Sequence, residues 1–160
     1  MANWLTYVVQ QQISDTDEVL DLGCGKGAVT NDLKCKKLTG IEIFKPWLKE
    51  YRGEKIFGDI TKIEFPESSY DVILALDVLE HISLKEAKKL IDKMEKWAKK
   101  KIIIYTPAEF KLQSTLNNLY NQHRSLIPKD YLEKKGFKTK IIPPDMNLLA
   151  IKTMAKNGEV

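Results

Sequence analysis

Asp17-Glu18-Val19-Leu20-Asp21-Leu22-Gly23-Cys24-Gly25-Lys26-Gly27-Ala28 runs an apolar strand straight into three alternating glycines, Gly23, Gly25 and Gly27. A strand that ends in such a run brings bare backbone close to something, because side chains there would occupy a ligand's space. A helix expected over 26–33 would aim its N-terminal N–H groups at the same spot, which suits a carboxylate or phosphate. Three glycines cost more backbone entropy than a plain turn requires, so the loop reads as a small-molecule cradle.

Strand and helix signals alternate outward from this loop. Lys37–Ile43, Lys55–Phe57, Tyr70–Leu76 and Lys101–Tyr105 read as further strands, the run at Tyr70–Leu76 being apolar enough for cover on both faces. Helices are expected over Lys45–Arg52, along the stripe Leu84, Ala87, Ile91, Met94 and Ala98, through Glu109–Asn121, and over Pro128–Lys135 before Gly136. Phe137–Ile142 and Leu148–Met154 flank Pro143-Pro144-Asp145 as a hairpin. Such alternation predicts an α/β fold with an open, mostly parallel, doubly wound sheet. At 160 residues the chain reads as one domain, 1–160, too short for a cofactor domain joined to a separate catalytic one.

The glycine loop fits two cofactors. Gly23, Gly25 and Ala28 satisfy the dinucleotide pattern G-x-G-x-x-G/A, and Glu42 lies where a ribose-binding acid belongs. The same stretch also carries Asp21 before the first glycine and Gly27 after the second, giving D-x-G-x-G-x-G. That pattern resembles motif I of the class I S-adenosylmethionine-dependent methyltransferases. The resemblance implies a seven-stranded sheet with an antiparallel last strand. It also implies that the loop Gly23, Cys24, Gly25 and Gly27 passes beneath the methionine part of the cofactor, S-adenosyl-L-methionine, while Asp21 helps position its ammonium end.

Further segments fall where the resemblance asks for them. Glu42 ends the second strand, where a carboxylate can accept both ribose hydroxyls, and Ile43, with Phe44, can pack on a purine face. Asp59 and Ile60 match the family's adenine-recognition position, a carboxylate accepting from the exocyclic amine and the next backbone N–H reaching a ring nitrogen. Asp77-Val78-Leu79-Glu80-His81-Ile82 follows the buried strand and resembles the small-molecule branch of the family, the ubiquinone- and menaquinone-type and related O- and C-methyltransferases. There the Asp77 position lies near the methionine end and the following residues border the substrate. His81 and His123 are the candidate bases for the proton that O- or N-methylation releases. Cys24 reads as a space filler rather than a nucleophile, and Asp71, at the far end of its strand, as structural. Trp4, Tyr7, Phe110 and Tyr120 could line a pocket, but their spacing reads more simply as core.

Net charge is +4, divided unevenly: residues 1–80 carry 9 Lys and Arg against 14 Asp and Glu, and residues 81–160 carry 17 against 8. An acidic half around the loop favours a cationic sulfonium ligand, and the basic half reads as solvated helix faces before an anionic substrate. Two cysteines and two histidines in no zinc spacing give no expectation of a metal, and the cysteines suit a reducing, cytoplasmic setting. No signal peptide or membrane-spanning run is legible.

The sequence therefore predicts transfer of a methyl group to an O, N or C nucleophile of an acceptor, a small molecule before a nucleic acid or protein. The alternatives are a nicotinamide-dependent oxidoreductase and a non-catalytic partner or RNA-binding subunit. The chain lacks both the Asn/Asp-Pro-Pro-Tyr/Phe sequence of amino-group DNA methyltransferases and a cysteine placed for attack on pyrimidine C5.

Overall fold

The order of elements follows directly from the apolar runs. In a computed structural model, residues 3–112 and 118–155 are described. They form α1 (Trp4–Gln10), β1 (Glu18–Leu22), β2 (Lys37–Glu42), β3 (Glu54–Phe57), β4 (Tyr70–Leu76), α2 (Leu84–Trp97), β5 (Ala98–Pro107), α3 (Lys129–Lys134), β6 (Lys138–Ile142) and β7 (Asn147–Thr153). The strands make one seven-stranded sheet in the order β3-β2-β1-β4-β5-β7-β6. The first five strands pair in parallel, and β7 lies antiparallel between β5 and β6.

Period-two alternation sends each central strand's side chains to two separate cores. Leu20 and Leu22 of β1, Ile73 and Ala75 of β4, and Ile102 and Ile104 of β5 pack with Leu90, Ile91, Met94 and Trp97 of α2. Val19, Val72, Leu74, Ile103 and Tyr105 face the other way, onto Leu5 and Val9 of α1. Cover on both faces is why β4 reads as an unbroken apolar run. At the opposite end of the sheet, the Asp71 carboxylate accepts from the Glu18 N–H at 2.8 Å and pairs with Lys100, which confirms its structural role.

Three expected helices are not realised as drawn. Over 26–33 the chain makes only turns. Gly27 sits at φ +81°, and Asn31 spends its side chain on the Lys26 and Glu50 carbonyls and the Arg52 N–H, bonds that compete with a helical ladder. Lys45–Lys49 is a 3-10 turn opened by Pro46 rather than an α-helix to Arg52. Of the expected helix through Glu109–Asn121, residues 113–117 lie outside the described residues, 109–112 are not helical, and Leu119–Asn121 is one 3-10 turn. Ala98, expected on the helix stripe, instead begins β5.

The longest helix is α2, opened by a full capping box. Ser83 Oγ accepts from the Glu86 N–H at 3.2 Å, and the Glu86 carboxylate accepts from the Ser83 N–H at 3.3 Å. Ser83→Ala removes the acceptor for that N–H, and urea unfolding is expected to show a loss of about 1 kcal/mol with an unchanged slope.

Candidate active site

β1 is flanked by β2 on one side and β4 on the other, so the chain reverses its direction of progress across the sheet at this strand. Open α/β sheets hold ligands in the crevice at such a point, outside the carboxyl ends of the strands. A cleft lies there, lined by Gly23, Glu42, Ile43, Trp47, Asp59, Ile60, Asp77, Val78, His81, Tyr120 and Arg124 among others.

The glycine loop is fastened to the end of β2 rather than to a helix. Cys24 N–H donates to the Ile41 carbonyl at 2.9 Å, and Gly25 N–H donates to Glu42 Oε2 at 2.8 Å. The other oxygen, Glu42 Oε1, accepts from the Phe44 N–H at 2.9 Å. Two backbone donors thus hold a 6%-exposed carboxylate, and each oxygen keeps a lone pair for a ligand hydroxyl.

The three glycines have different reasons to be glycine. A Cβ on Gly23 would sit 2.2 Å from Val78 Cγ2, and one on Gly27 would sit 2.3 Å from the Asn31 side chain. Both clashes are with the protein itself. At Gly25 a Cβ would meet only ordinary contact, Trp47 at 3.7 Å, and it is the left-handed backbone, φ +55°, that calls for glycine. Gly23 nevertheless lies on the cleft wall, so its bare backbone serves both the packing against Val78 and the cleft.

Asp21 is placed beneath the loop rather than on the cleft wall. Its Oδ2 accepts from Thr30 Oγ1 at 2.6 Å and from the Tyr51 hydroxyl at 3.4 Å. Burial pushes its carboxyl up to about 7, against those donors and with the Glu42 charge adding to the rise. Cys24 packs with Leu48 and Tyr51, and burial pushes its thiol far up, which suits a filler and not a nucleophile. Asp59 makes an Asx turn, Oδ1 accepting from the N–H and hydroxyl of Thr61 at 2.9 and 2.7 Å. Ile43 and Ile60 lie on the wall with Trp47, whose ring meets Phe44 edge-on at 5.3 Å.

Asp77 occupies a left-handed conformation, φ +52°, which Asp tolerates better than most residues. Its N–H donates to the Tyr105 carbonyl at 2.7 Å, and burial raises its carboxyl to about 6 despite His123 and Lys111 nearby. Glu80 follows in a 3-10 turn, Leu79–His81, with its side chain 3% exposed and its Oε2 accepting from the Thr106 hydroxyl at 3.1 Å.

The backbone of this turn captures a distant segment. Arg124 and Ser125 N–H donate to the Glu80 carbonyl at 2.7 and 3.2 Å, and Ser125 Oγ donates to the Leu79 carbonyl. That pairing brings His123 beside His81, ring centroids 5.0 Å apart. His81 Nδ1 lies 3.1 Å from the Gln122 carbonyl and His123 Nδ1 lies 2.7 Å from the Lys111 carbonyl. A carbonyl only accepts, so each Nδ1 carries a proton, and a neutral ring keeps its lone pair on Nε2. Glu80 Oε1 is 3.8 Å from His81 Nε2, beyond hydrogen-bond range. Burial pushes the imidazole down and the Glu80 carboxyl up to about 8, so the contact joins neutral groups near pH 7, not an ion pair.

The structure thus lines one cleft with Gly23, Glu42, Ile43, Asp59, Ile60, Asp77 and His81, and leaves Asp21, Cys24, Gly25, Gly27 and His123 off its wall. Sequence reading missed Trp47 and Arg124, neither of which belongs to a motif. Among the aromatics read as core, Trp4, Tyr7 and Phe110 are exposed, and Tyr120 is on the cleft wall.

Asp21, Asp77 and Glu80 all have folded-state pKa values raised by burial. The native state therefore binds more protons than the unfolded chain between the ordinary carboxyl range and about pH 8. Stability against urea is expected to be greatest at the acidic side of that window and to fall as pH rises through it, and Asp21→Asn is expected to flatten the fall between about pH 4 and 7.

Comparison with known proteins agrees with this arrangement. The model of a family described as a methyltransferase domain matches residues 20–105, more than half of the chain. An uncharacterised protein of Methanocaldococcus jannaschii is 30% identical over 123 residues, 75% of this chain and 54% of its own length. Phosphoethanolamine N-methyltransferase of Plasmodium falciparum is 30% identical over 100 residues, 55% of this chain and 37% of that enzyme. (S)-coclaurine N-methyltransferase of Papaver somniferum is 33% identical over 107 residues, 58% of this chain and 30% of that enzyme. The chain thus spans about half the length or less of these relatives. In fold it is similar to a Pyrococcus horikoshii protein, with TM-score 0.71, 16% identity, and 94% of this chain and 88% of that one covered. It is similar also to magnesium protoporphyrin IX methyltransferase of Synechocystis, with TM-score 0.69, 16% identity, and 94% and 80% covered. With the motif, the strand order and the family match in agreement, the chain belongs to the methyltransferase-domain family and has the class I methyltransferase fold.

Proposed function

We propose that residues 1–160 form one S-adenosyl-L-methionine-dependent methyltransferase domain that acts in the cytoplasm on a small-molecule acceptor through an O, N or C atom. The observation that carries this reading is the cleft itself, with an anchored Glu42 carboxylate at the end of β2 and Asp77 and His81 across from it at the end of β4. The residues fit the cofactor. Glu42 keeps lone pairs for ribose hydroxyls, and Ile43 and Trp47 offer apolar surface for a purine. Asp59 and the Ile60 N–H stand at the adenine end, and Gly23, on the cleft wall, offers bare backbone to the methionine part. Asp21, Cys24 and Gly27 serve this site by shaping the loop from beneath.

Bound there, the cofactor supplies an activated sulfonium methyl. The chain's own part is to hold an acceptor in line, exclude water, and take the proton that an O- or N-acceptor releases. His81 is the proton acceptor, its Nε2 lone pair kept free by the Nδ1–H bond to Gln122, with the His123 ring tilted beside it. Two of the relatives are N-methyltransferases of phosphoethanolamine and of (S)-coclaurine, which supports a small-molecule acceptor. Among the described residues no helix is long and apolar enough to cross a membrane.

S-adenosylhomocysteine is expected to raise the melting temperature while NAD does not, and Glu42→Ala is expected to weaken its binding at least tenfold by calorimetry. A shift with NAD alone would replace this reading with the oxidoreductase one. With labelled S-adenosylmethionine and fractionated metabolites, His81→Ala is expected to lower kcat about a hundredfold. The wild-type rate is expected to fall on the acid side at a pH below the ordinary imidazole value, because burial lowers that group.

A further inference from the structure

Glu80, His81 and His123 each present one ligand atom, and these atoms lie within 4.8 Å of one another. We infer that they form a site for a divalent first-row transition metal, with Zn²⁺ or Co²⁺ as the ion that reports it. Two histidines and one carboxylate are the ligand set of zinc sites that keep a position open for a further ligand.

What distinguishes this cluster from a chance meeting of polar side chains is its outer support. Metal-binding imidazoles characteristically donate their other ring N–H to a carbonyl or carboxylate, which fixes the tautomer and aims the free nitrogen. Both rings do so here, His81 to the Gln122 carbonyl and His123 to the Lys111 carbonyl. The Glu80 carboxyl, which releases its proton to solvent when a cation binds, is held likewise, Oε2 by the buried Thr106 hydroxyl, with Oε1 turned to His81 Nε2 at 3.8 Å. Bonds of about 2.0–2.2 Å to one tetrahedral ion place ligand atoms about 3.3 Å apart, a modest contraction that side-chain rotation can supply.

His81 lines the cleft, so an ion at this cluster is open to it. The site stands on its own residues. Its use rests on the methyltransferase reading: with an ion bound, the His81 lone pair is spent on the metal, and the open position would take a hydroxyl of the acceptor and lower its pKa in place of general-base catalysis by His81.

The test needs neither cofactor nor acceptor. Zn²⁺ is titrated into the folded protein against a chromophoric chelator, and Co²⁺ substitution is followed by absorption. Expected are one equivalent bound with a micromolar or tighter Kd, cobalt d–d bands without sulfur-to-metal charge transfer, and at least tenfold weaker binding in His81→Ala and in His123→Ala. Circular dichroism checks that both variants fold, and shifts of the two histidine ring C–H signals in wild-type protein give a readout that needs no variant. Equal binding by wild type and both variants, unmoved histidine signals, or a charge-transfer band placing the ion on Cys24 or Cys35 would each overturn the site. Loss of S-adenosylhomocysteine binding with Zn²⁺ binding intact would refute the methyltransferase reading alone.

Discussion

The arrangement at this sheet depends on β1 lying between β2 and β4. The chain leaves β1 toward one edge of the sheet, builds β2 and β3, and returns to the other side of β1 with β4. Parallel strands that diverge in this way leave a crevice between the loops at their carboxyl ends. The glycine turn, Glu42 and the Asp77–His81 segment all project there because the hydrogen-bond register leaves no alternative: Leu22 aligns with Ile41 and with Ala75.

The loop at this crevice is held without a helix behind it. Helical cover after β1 would have supplied both backbone donors and a rigid support. In its place the chain uses side chains, with Glu42 gripping the Gly25 and Phe44 N–H groups and Asn31 bracing the turn against Glu50 and Arg52. Asp21 and Tyr51 fill the space beneath as a buried hydrogen-bonded pair. Burying a carboxyl this way is costly when it is charged, which is why proton binding is linked to the fold under the cleft.

On the other wall the decisive contact is between backbones. The Glu80 carbonyl accepts from both Arg124 and Ser125, so a segment more than 40 residues away in sequence is tied to the end of β4. Two histidines that share no motif become neighbours through that tie. The exposed Trp4, Tyr7 and Phe110 show the opposite failing of spacing arguments. An aromatic at helical spacing is buried only if a partner surface lies above it; Trp4 meets Tyr105 edge-on at 5.8 Å and stays half-exposed, and 109–112 form no helix that would carry Phe110 onto such a surface.

Local pattern was enough for the strands, because burial on two faces leaves an apolar run that only a central strand can use, as in Tyr70–Leu76. It was enough for Glu42 and Asp77 as well, since a residue at the carboxyl end of such a strand has one place to go. It was not enough for the turn at 26–33, where Gly27 and the Asn31 side chain override a weak helical preference. Nor could it tell that Gly23 and Gly27 answer to Val78 and Asn31, while Gly25 meets only Trp47 at ordinary contact distance. The sequence by itself determined the sheet, the family and the acids at the strand ends, because those depend on periodicity and on neighbours in the chain. Tertiary structure alone decided what the missing side chain of each glycine makes room for, where Asp21 spends its hydrogen bonds and how His81 meets His123, because each depends on atoms distant in sequence.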